Sequence, residues 1–178
     1  MAILPLKYVP DIVLEVKARR VKEIDGTIRK LAGDMIETMH ENHGVGLAAN
    51  QVGFPLRMAV IQLPEDDEAT VLINPQVTHR DGEREIVEGC LSIPGYQGLV
   101  KRSKKVRVKA MDLDGRPIRI KAEDDLLAQA LEHETDHLNG VLYISHLVDR
   151  DSLWKIEEED AGKEDGEPAA LETAPPGE

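Results

Sequence analysis

Two histidines four residues apart, His133 and His137, enclose Glu134 in the segment His133-Glu134-Thr135-Asp136-His137. Residues four apart lie on one face of an α-helix, so both imidazoles can reach a single metal ion. Glu134 directly follows the first histidine, which lets its carboxylate lean toward a water molecule held by that ion. A metal ion lowers the pKa of such a water, and a glutamate beside it can take the proton. The segment therefore predicts metal-assisted hydrolysis.

A solvated helix with two surface histidines is the alternative interpretation of this segment. The flanking residues favour a buried helix instead, because Asp124 and Asp125 can cap its start and Gly140 can end it. Two stripes run along the predicted helix: Leu126, Ala130, His133 and His137 form one, and Leu127, Leu131 and Leu138 form the other. A helix that is apolar on two sides is buried, and buried histidines need polar partners or a metal ion.

A catalytic zinc-type site needs a third protein ligand and keeps one position open. The metzincin pattern is excluded, because Tyr143 stands where its third histidine would be. A thermolysin-like site would take a glutamate further downstream, and residues 157–159 lie in a charged, aperiodic stretch. Cys90, in the compact segment of residues 89–95, remains as the candidate ligand. A zinc endopeptidase stays open as the alternative enzyme, and a structural metal module with four protein ligands as the non-enzymatic alternative.

Hydrophobic periodicity predicts the elements that hold this helix. Apolar residues from Ile28 to Met39 recur at helical spacing and predict an amphipathic helix capped by Thr27 or Asp25. Apolar and basic residues alternate on either side of Asp114-Gly115, which predicts an antiparallel hairpin with one buried face. The predicted fold is α+β, with antiparallel β-sheets around a central, buried α-helix that carries the HExxH motif.

Two further expectations concern the middle and the end of the chain. Residues 57–63 and 70–74 are apolar, β-branched runs that predict strands, and Asp81-Gly82 predicts a hairpin leading into Ile86. Residues 149–156 predict at most a short helix anchored by Trp154.

The net charge of −12 is concentrated in residues 157–178, which contain nine acidic residues and one lysine. They lack hydrophobic periodicity, so we expect a disordered acidic tail after a catalytic domain of residues 1–156. Neither part has the excess of positive charge typical of proteins that bind a nucleic-acid backbone. The single cysteine excludes an intramolecular disulfide, and no apolar run is long enough to span a membrane. A cytoplasmic protein is therefore expected.

Three segments together resemble the peptide deformylases. Residues 44–51 resemble the first motif of that family, residues 88–92 the second and residues 133–137 the third, in the family's order and approximate spacing. The resemblance implies a metal-dependent hydrolase that removes the N-formyl group from the formylmethionine of newly made peptides and releases formate.

The resemblance also implies the roles of the site residues. The metal ligands would be Cys90, His133 and His137, holding one divalent ion that is natively iron(II), with nickel, cobalt or zinc able to replace it. Glu134 would act as general base and then as general acid. The side chain of Gln51 and the backbone N–H of Leu91 would bind the developing oxyanion.

Substrate binding is implied in the same way. Val45, Gly46 and Gly89 would offer backbone groups to an extended peptide. The methionine side chain would lie in an apolar pocket, whose walls are expected to be Val45, Val87, Leu126 and Ala130.

The sequence departs from the family pattern at three places. Asn50 replaces the usual proline before Gln51, and we expect this to loosen that loop slightly. Gln97 stands where some relatives carry an arginine near the peptide. Some relatives end in a basic helix that docks on the ribosome, whereas the acidic end of this chain would be repelled by ribosomal RNA.

Overall fold

The structure, a computed structural model, describes residues 1–157. The predicted acidic tail of residues 157–178 lies outside the described residues apart from Glu157 itself. The α-helices are α1 (Gly26–Glu41) and α2 (Leu126–Leu138), and shorter 3-10 helices span Ile12–Glu15, Ala49–Val52 and Tyr143–His146. The strands are β1 (Gly46–Ala48), β2 (Met58–Ile61), β3 (Thr70–Asp81), β4 (Arg84–Cys90), β5 (Ile93–Arg102), β6 (Lys105–Met111), β7 (Pro117–Glu123) and β8 (Leu153–Lys155). None of the helices described is both long enough and apolar enough to cross a membrane.

The strands form two antiparallel sheets. Five of them lie in the order β1-β2-β3-β6-β7, and the other three in the order β4-β5-β8. The predicted hairpin around Asp114-Gly115 is confirmed as β6 and β7, in which Val106 lies opposite Ala122 and Val108 opposite Ile120. Because side chains alternate along a strand, the apolar residues of both strands face the core and the basic ones face outward.

The hairpin predicted at Asp81-Gly82 is wrong. Strand β3 pairs with β2 and β6, whereas β4 pairs with β5 in the other sheet. The turn is real, since Gly82 has a φ of 68°, but it carries the chain from one sheet to the other. A turn sequence fixes the local bend, whereas the pairing partner is chosen by long-range packing.

The helix predicted near Trp154 is also replaced by a strand. Residues Leu153–Lys155 form β8, in which Trp154 lies opposite Gln97 of β5. The short strand covers the β5 edge of the three-stranded sheet, which would otherwise present unpaired backbone groups.

Helix α2 is the central buried element that the sequence predicts. Its cap is Asp125, whose side chain accepts a hydrogen bond of 2.8 Å from the backbone N–H of Ala128. Its end is marked by Gly140, which has a φ of 75°. The buried side chains of α2 pack against the apolar face of the five-stranded sheet, as Leu131 does beside Val106 and Val108. The α+β prediction is confirmed.

Helix α1 packs its methionine-bearing face on the same sheet. Met35 and Met39 are fully buried against Leu47 and Met58. The cap is Asp25, which accepts from the backbone N–H of Ile28. The N-terminal arm is tied across α1, because Asp34 accepts a hydrogen bond of 2.8 Å from the backbone N–H of Ala2.

Candidate metal centre and active-site cleft

The three side chains predicted to bind metal converge on one point. The Sγ of Cys90 lies 3.2 Å from the Nε2 of His137, and that nitrogen lies 3.1 Å from the Nε2 of His133. In a tetrahedral site with metal–nitrogen bonds of about 2.0–2.1 Å and a metal–sulfur bond of about 2.3 Å, neighbouring ligand atoms are about 3.3–3.6 Å apart. Within residues 1–157, no other group of three such side chains has its ligand atoms as close together.

Two elements bring these ligands together. Helix α2 supplies both histidines from one face, as the four-residue spacing predicts. Cys90 is the last residue of β4, and the register of β4 with β5 shifts between Gly89 and Cys90. A bulge of this kind re-aims a side chain. The sulfur also accepts a hydrogen bond of 3.4 Å from the backbone N–H of Ser92.

A buried ionic network supports the histidines from behind. The Nδ1 of His133 hydrogen-bonds Glu88, which also accepts two hydrogen bonds from Arg102, at 3.0 and 2.6 Å. Arg102 donates a further hydrogen bond of 2.5 Å to Asp136 of α2. Although burial alone would raise it, the hydrogen bonds from His133 and Arg102 lower the pKa of Glu88 to about 2. An ionised carboxylate on Nδ1 leaves Nε2 of His133 as the ligand atom.

Glu88, Ser92 and Arg102 have no role in the sequence prediction. Glu88 and Ser92 had a signal, since they are the first and last residues of the segment that resembles the second motif. Arg102 had a weaker signal, since it is one of the scattered residues that extend the resemblance beyond the three motifs, but nothing in the sequence indicates that it is buried.

Glu134 lies beside the ligands and is 5% exposed. Its Oε2 is buried and has no hydrogen-bond partner within the described chain. Burial raises the pKa of Glu134 to about 7. Gly46 packs directly on this carboxylate, and a Cβ at position 46 would lie closer to Glu134 than Cβ atoms approach other atoms in proteins. The absence of a side chain at Gly46 therefore makes room for Glu134.

The amide of Gln51 has a fixed orientation. Its Oε1 accepts a hydrogen bond of 2.9 Å from the backbone N–H of Ala48, and its Nε2 donates to the Oγ of Ser92 at 3.2 Å. The same Nε2 lies 3.5 Å from the Sγ of Cys90. The donor end of the amide is therefore held at the ligand cluster.

Asn50 ties this loop down, contrary to the expectation that it loosens it. Its Nδ2 donates a hydrogen bond of 2.5 Å to the backbone carbonyl of His137, and the side chain is fully buried. The loop that carries Gln51 is thus bonded to the last turn of α2, which carries a candidate ligand.

A cleft of about 590 Å³ opens onto two of the three candidate ligands, Cys90 and His133. Its lining includes the predicted substrate residues Val45, Gly46, Gly89, Leu126 and Ala130, together with Gln51, Leu91, Cys90, His133 and Glu134. Val87 is the exception, because its side chain is 48% exposed and does not line the cleft. Side chains alternate along β4, and it is the neighbouring Glu88 that is buried. Unpredicted lining residues near the mouth include Tyr8 and Tyr96.

The donor set fits a divalent transition metal. One sulfur and two imidazole nitrogens are ligands of that class, and three protein ligands leave a position open. The carboxylate behind His133 is the outer partner that metal-bound histidines commonly have. With a buried glutamate beside the ligands, the fold and site define a metal-dependent hydrolase.

Comparison with known proteins identifies the family within this class. The family model described as polypeptide deformylase matches residues 3–152. The peptide deformylase of Dehalococcoides mccartyi (strain CBDB1) is 49% identical over 160 residues, which cover 90% of this chain and 95% of that protein. The crystal structure of a peptide deformylase from Legionella pneumophila matches with a TM-score of 0.79 and 44% identity, covering 82% of this chain and 86% of that one. A peptide deformylase from Synechococcus elongatus, in complex with actinonin, matches with a TM-score of 0.79 and 42% identity, covering 83% and 80%. The chain belongs to the peptide deformylase family.

Proposed function

We propose that this deformylase removes the formyl group from the N-terminal formylmethionine of newly made peptides and releases formate. The observation that carries the proposal is the convergence of Cys90, His133 and His137 beside the buried carboxylate of Glu134. The cleft that opens there is lined by the apolar side chains and glycines that an extended peptide with one apolar anchor requires.

Cys90, His133 and His137 are proposed to hold one divalent ion. Iron(II) is the proposed native ion, and nickel, cobalt or zinc could occupy the same ligands. When bound, such an ion supplies Lewis acidity, which lowers the pKa of water and polarises a carbonyl group. The ion pair between Glu88 and Arg102 supports this assignment, because it keeps a carboxylate on the far nitrogen of His133.

Glu134 is proposed to move the proton. Its carboxylate accepts a proton from the water that attacks the formyl carbon, and it then gives that proton to the peptide nitrogen as the C–N bond breaks. Two observations support the role: Oε2 has no competing hydrogen bond in the described chain, and the pKa of about 7 suits both acceptance and return of a proton near neutral pH.

The Nε2 of Gln51 and the backbone N–H of Leu91 are proposed to donate to the formyl oxygen as negative charge develops on it. The fixed Gln51 amide supports this role, since its acceptor end is already used by Ala48. Donors that are preorganised in this way contribute about 2.7–4 kcal/mol each to lowering the barrier.

The methionine side chain is proposed to lie against Val45, Leu126 and Ala130, which line one region of the cleft. The backbones of Gly46 and Gly89 are proposed to pair with the extended peptide. Both glycines line the cleft, where their backbone groups can reach a bound peptide.

Residues 1–156 are proposed as the catalytic domain and residues 157–178 as an acidic tail. Nine acidic residues at the end of the chain oppose contact with ribosomal RNA, so no ribosome contact is proposed, nor a direct nucleic-acid or membrane partner. Newly made peptides as substrates place the reaction in the cytoplasm. A chain ending at Ile156 is expected to keep its turnover, whereas an endopeptidase that used a glutamate from residues 157–159 would lose it.

Formate release from formyl-Met-Ala-Ser, with metal analysis of the same sample, tests the proposal. We expect one formate per peptide, a rate proportional to bound metal, and no product from acetyl-Met-Ala-Ser. Actinonin, which is present in the Synechococcus elongatus structure, should block the reaction. Metal bound at one equivalent without formate release would refute the function.

A further inference from the structure

A second cavity, of about 400 Å³, is lined in part by Thr135 and Asn139 at the end of α2 and shares no residue with the cleft. Four of its lining residues are cations: Lys17, Arg20, Arg57 and Arg80. No acidic residue of the described chain lines it. Positive charge is thus concentrated here, although residues 1–156 together carry a net charge of −4.

Arg57 is the buried cation of this cavity. It is 8% exposed, and its Nε donates to the carbonyl of Pro75 at 2.9 Å. Its Nη1 donates to the carbonyl of Leu138 at 3.3 Å and to Oδ1 of Asn139 at 2.9 Å. All three acceptors are neutral, and within residues 1–157 no carboxylate forms an ion pair with Arg57. The two N–H groups of Nη2 have no protein acceptor in that part of the chain.

The surroundings of Arg57 compensate its charge only in part. The carbonyls at the end of α2 carry a partial negative charge of roughly half an elementary charge. Arg80 is already paired, because its Nε lies 2.9 Å from Glu132. Burial and the nearby Arg20 both lower the pKa of Arg57. Buried charges in proteins normally have a counter-charge, and here it is missing from the described chain.

An adjoining cavity of about 200 Å³ extends the same surface. Arg20 and Gln76 line both cavities, and the second adds Lys109 and Arg119 from the outer face of β6 and β7. No acidic residue of the described chain lines this part either. The two cavities together, here called the basic groove, present Lys17, Arg20, Arg57, Lys109 and Arg119 without an ion-pair partner among residues 1–157.

We propose that the basic groove binds a phosphate-type oxyanion, with phosphoryl oxygens on Arg57 Nη2, Arg20 and Lys17. Guanidinium groups match the geometry of phosphate with paired N–H donors, and a partly desolvated guanidinium binds more strongly than an exposed one. Lys109 and Arg119 would bind a second phosphoryl group in the adjoining cavity. This site is separate from the active-site cleft, and the proposal does not depend on the deformylase activity.

Titration of the zinc-loaded full chain with inorganic phosphate and with diphosphate, at constant ionic strength, tests the proposal. We expect saturation at one equivalent by calorimetry and a shift of the Arg57 Nε–H signal in ¹⁵N NMR spectra. Diphosphate should bind more tightly than phosphate. Arg20→Gln should weaken phosphate binding by at least about tenfold, as the loss of a charge-assisted hydrogen bond requires. The matched control, Lys155→Gln, removes the same charge from the other sheet and should change nothing.

Arg57→Lys keeps the positive charge and removes the paired N–H donors of the guanidinium group, so it should weaken binding. A circular dichroism melt reports whether this variant folds. If it does not fold, the result with Arg20→Gln still decides. The proposal is overturned if phosphate does not saturate or if Lys155→Gln weakens binding as much as Arg20→Gln does. Signals that shift only around Cys90 and the two histidines, or an equal effect of acetate, would also overturn it.

Discussion

Glu134 and Gly46 form a pair in which one residue leaves room for the other. The carboxylate of Glu134 occupies the space that a side chain at position 46 would fill. Its Oε2 has no hydrogen-bond partner in the described chain, so nothing there competes for the proton that it is proposed to carry. The site therefore requires both a carboxylate at position 134 and no side chain at position 46.

Glu134→Gln should keep its metal and lose turnover. The amide has nearly the same shape but cannot accept the proton, and general-base catalysis contributes about 10²–10⁴-fold to rates. Formate release and metal content, measured on one preparation, check this. The exposed Glu123→Gln on β7 is the control, and a Glu134 variant with the parent rate would remove the proposed base.

Gly46→Ala should lower kcat while the protein stays folded. The added Cβ displaces the Glu134 carboxylate, and a displacement of about 1 Å can cost 10²-fold in rate. Gly26→Ala is the matched control, because nothing lies within 4 Å of a Cβ at that position. Equal rates for the two alanine variants would show that Gly46 does not shape the site.

The candidate ligands could be predicted from the sequence, and the contacts that support them could not. His133, Glu134 and His137 follow a spacing that a helix turns into proximity. Arg102 acts through Glu88 and Asp136, a contact that joins β5 to β4 and α2 across the fold. No local pattern records such a contact. The same limit explains Val87, whose strand could be predicted but whose side of the strand could not.

The last turn of α2 and the loop before Gln51 behave as one unit. Asn50 donates a hydrogen bond to the carbonyl of His137, and Arg57 donates one to the carbonyl of the next residue, Leu138. Both side chains satisfy carbonyls that a helix end leaves without an intrahelical partner. The elements that carry the candidate ligands and the oxyanion donor are therefore fastened together at this point.

Asn50→Ala should lower both stability and kcat. The variant removes one of two hydrogen bonds to the carbonyl of His137, which keeps the one from the backbone N–H of Gly140. The loss should cost about 0.5–1.5 kcal/mol in the free energy of unfolding. It also frees the Gln51 loop, so the rate should fall while KM changes less. Urea denaturation and steady-state kinetics measure the two effects.

Asn74→Ala is the control for this variant, because Asn74 is a buried asparagine that makes two hydrogen bonds to Val21, away from the cleft. We expect it to lower stability and leave kcat unchanged. A normal kcat in Asn50→Ala would mean that the bond to His137 serves stability alone.

Elements set by short-range signals were the ones that the sequence predicted correctly. Helix α2 begins at an aspartate cap and ends before a glycine, and the β6–β7 hairpin has both its turn and its alternation within nineteen residues, Lys105 to Glu123. The predicted pairing of β4 with β3 is wrong, and the short helix predicted at β8 is a strand. Their partner is β5, and β8 joins it from more than fifty residues further along the chain.

The N-terminal arm is held on α1 by the hydrogen bond from the backbone N–H of Ala2 to Asp34. The hydrogen bonds from Lys30 and from the backbone N–H of Ala2 lower the pKa of Asp34. A carboxyl group whose pKa is lower in the folded state stabilises the fold above its unfolded pKa, and this contribution is lost as the pH falls through the folded value. The arm should therefore loosen in acid.

Asp34→Asn should reduce the free energy of unfolding at pH 7 and flatten its decline toward about pH 3. Chemical denaturation across this range measures both effects. Asp67→Asn, at an exposed position of the β2–β3 loop, is the control and should follow the parent curve. A parent-like slope in Asp34→Asn would show that the carboxyl group does not link the arm to pH.

At the largest scale, the fold brings a sulfur from the end of one sheet to two imidazoles on a helix that packs on the other. X-ray absorption spectroscopy of the zinc-loaded full chain measures whether all three side chains bind one ion. We expect one sulfur at about 2.3 Å from the ion and two imidazole nitrogens at about 2.0–2.1 Å, with the sulfur signal absent in Cys90→Ser. A coordination shell of nitrogen and oxygen alone in the parent protein would contradict it.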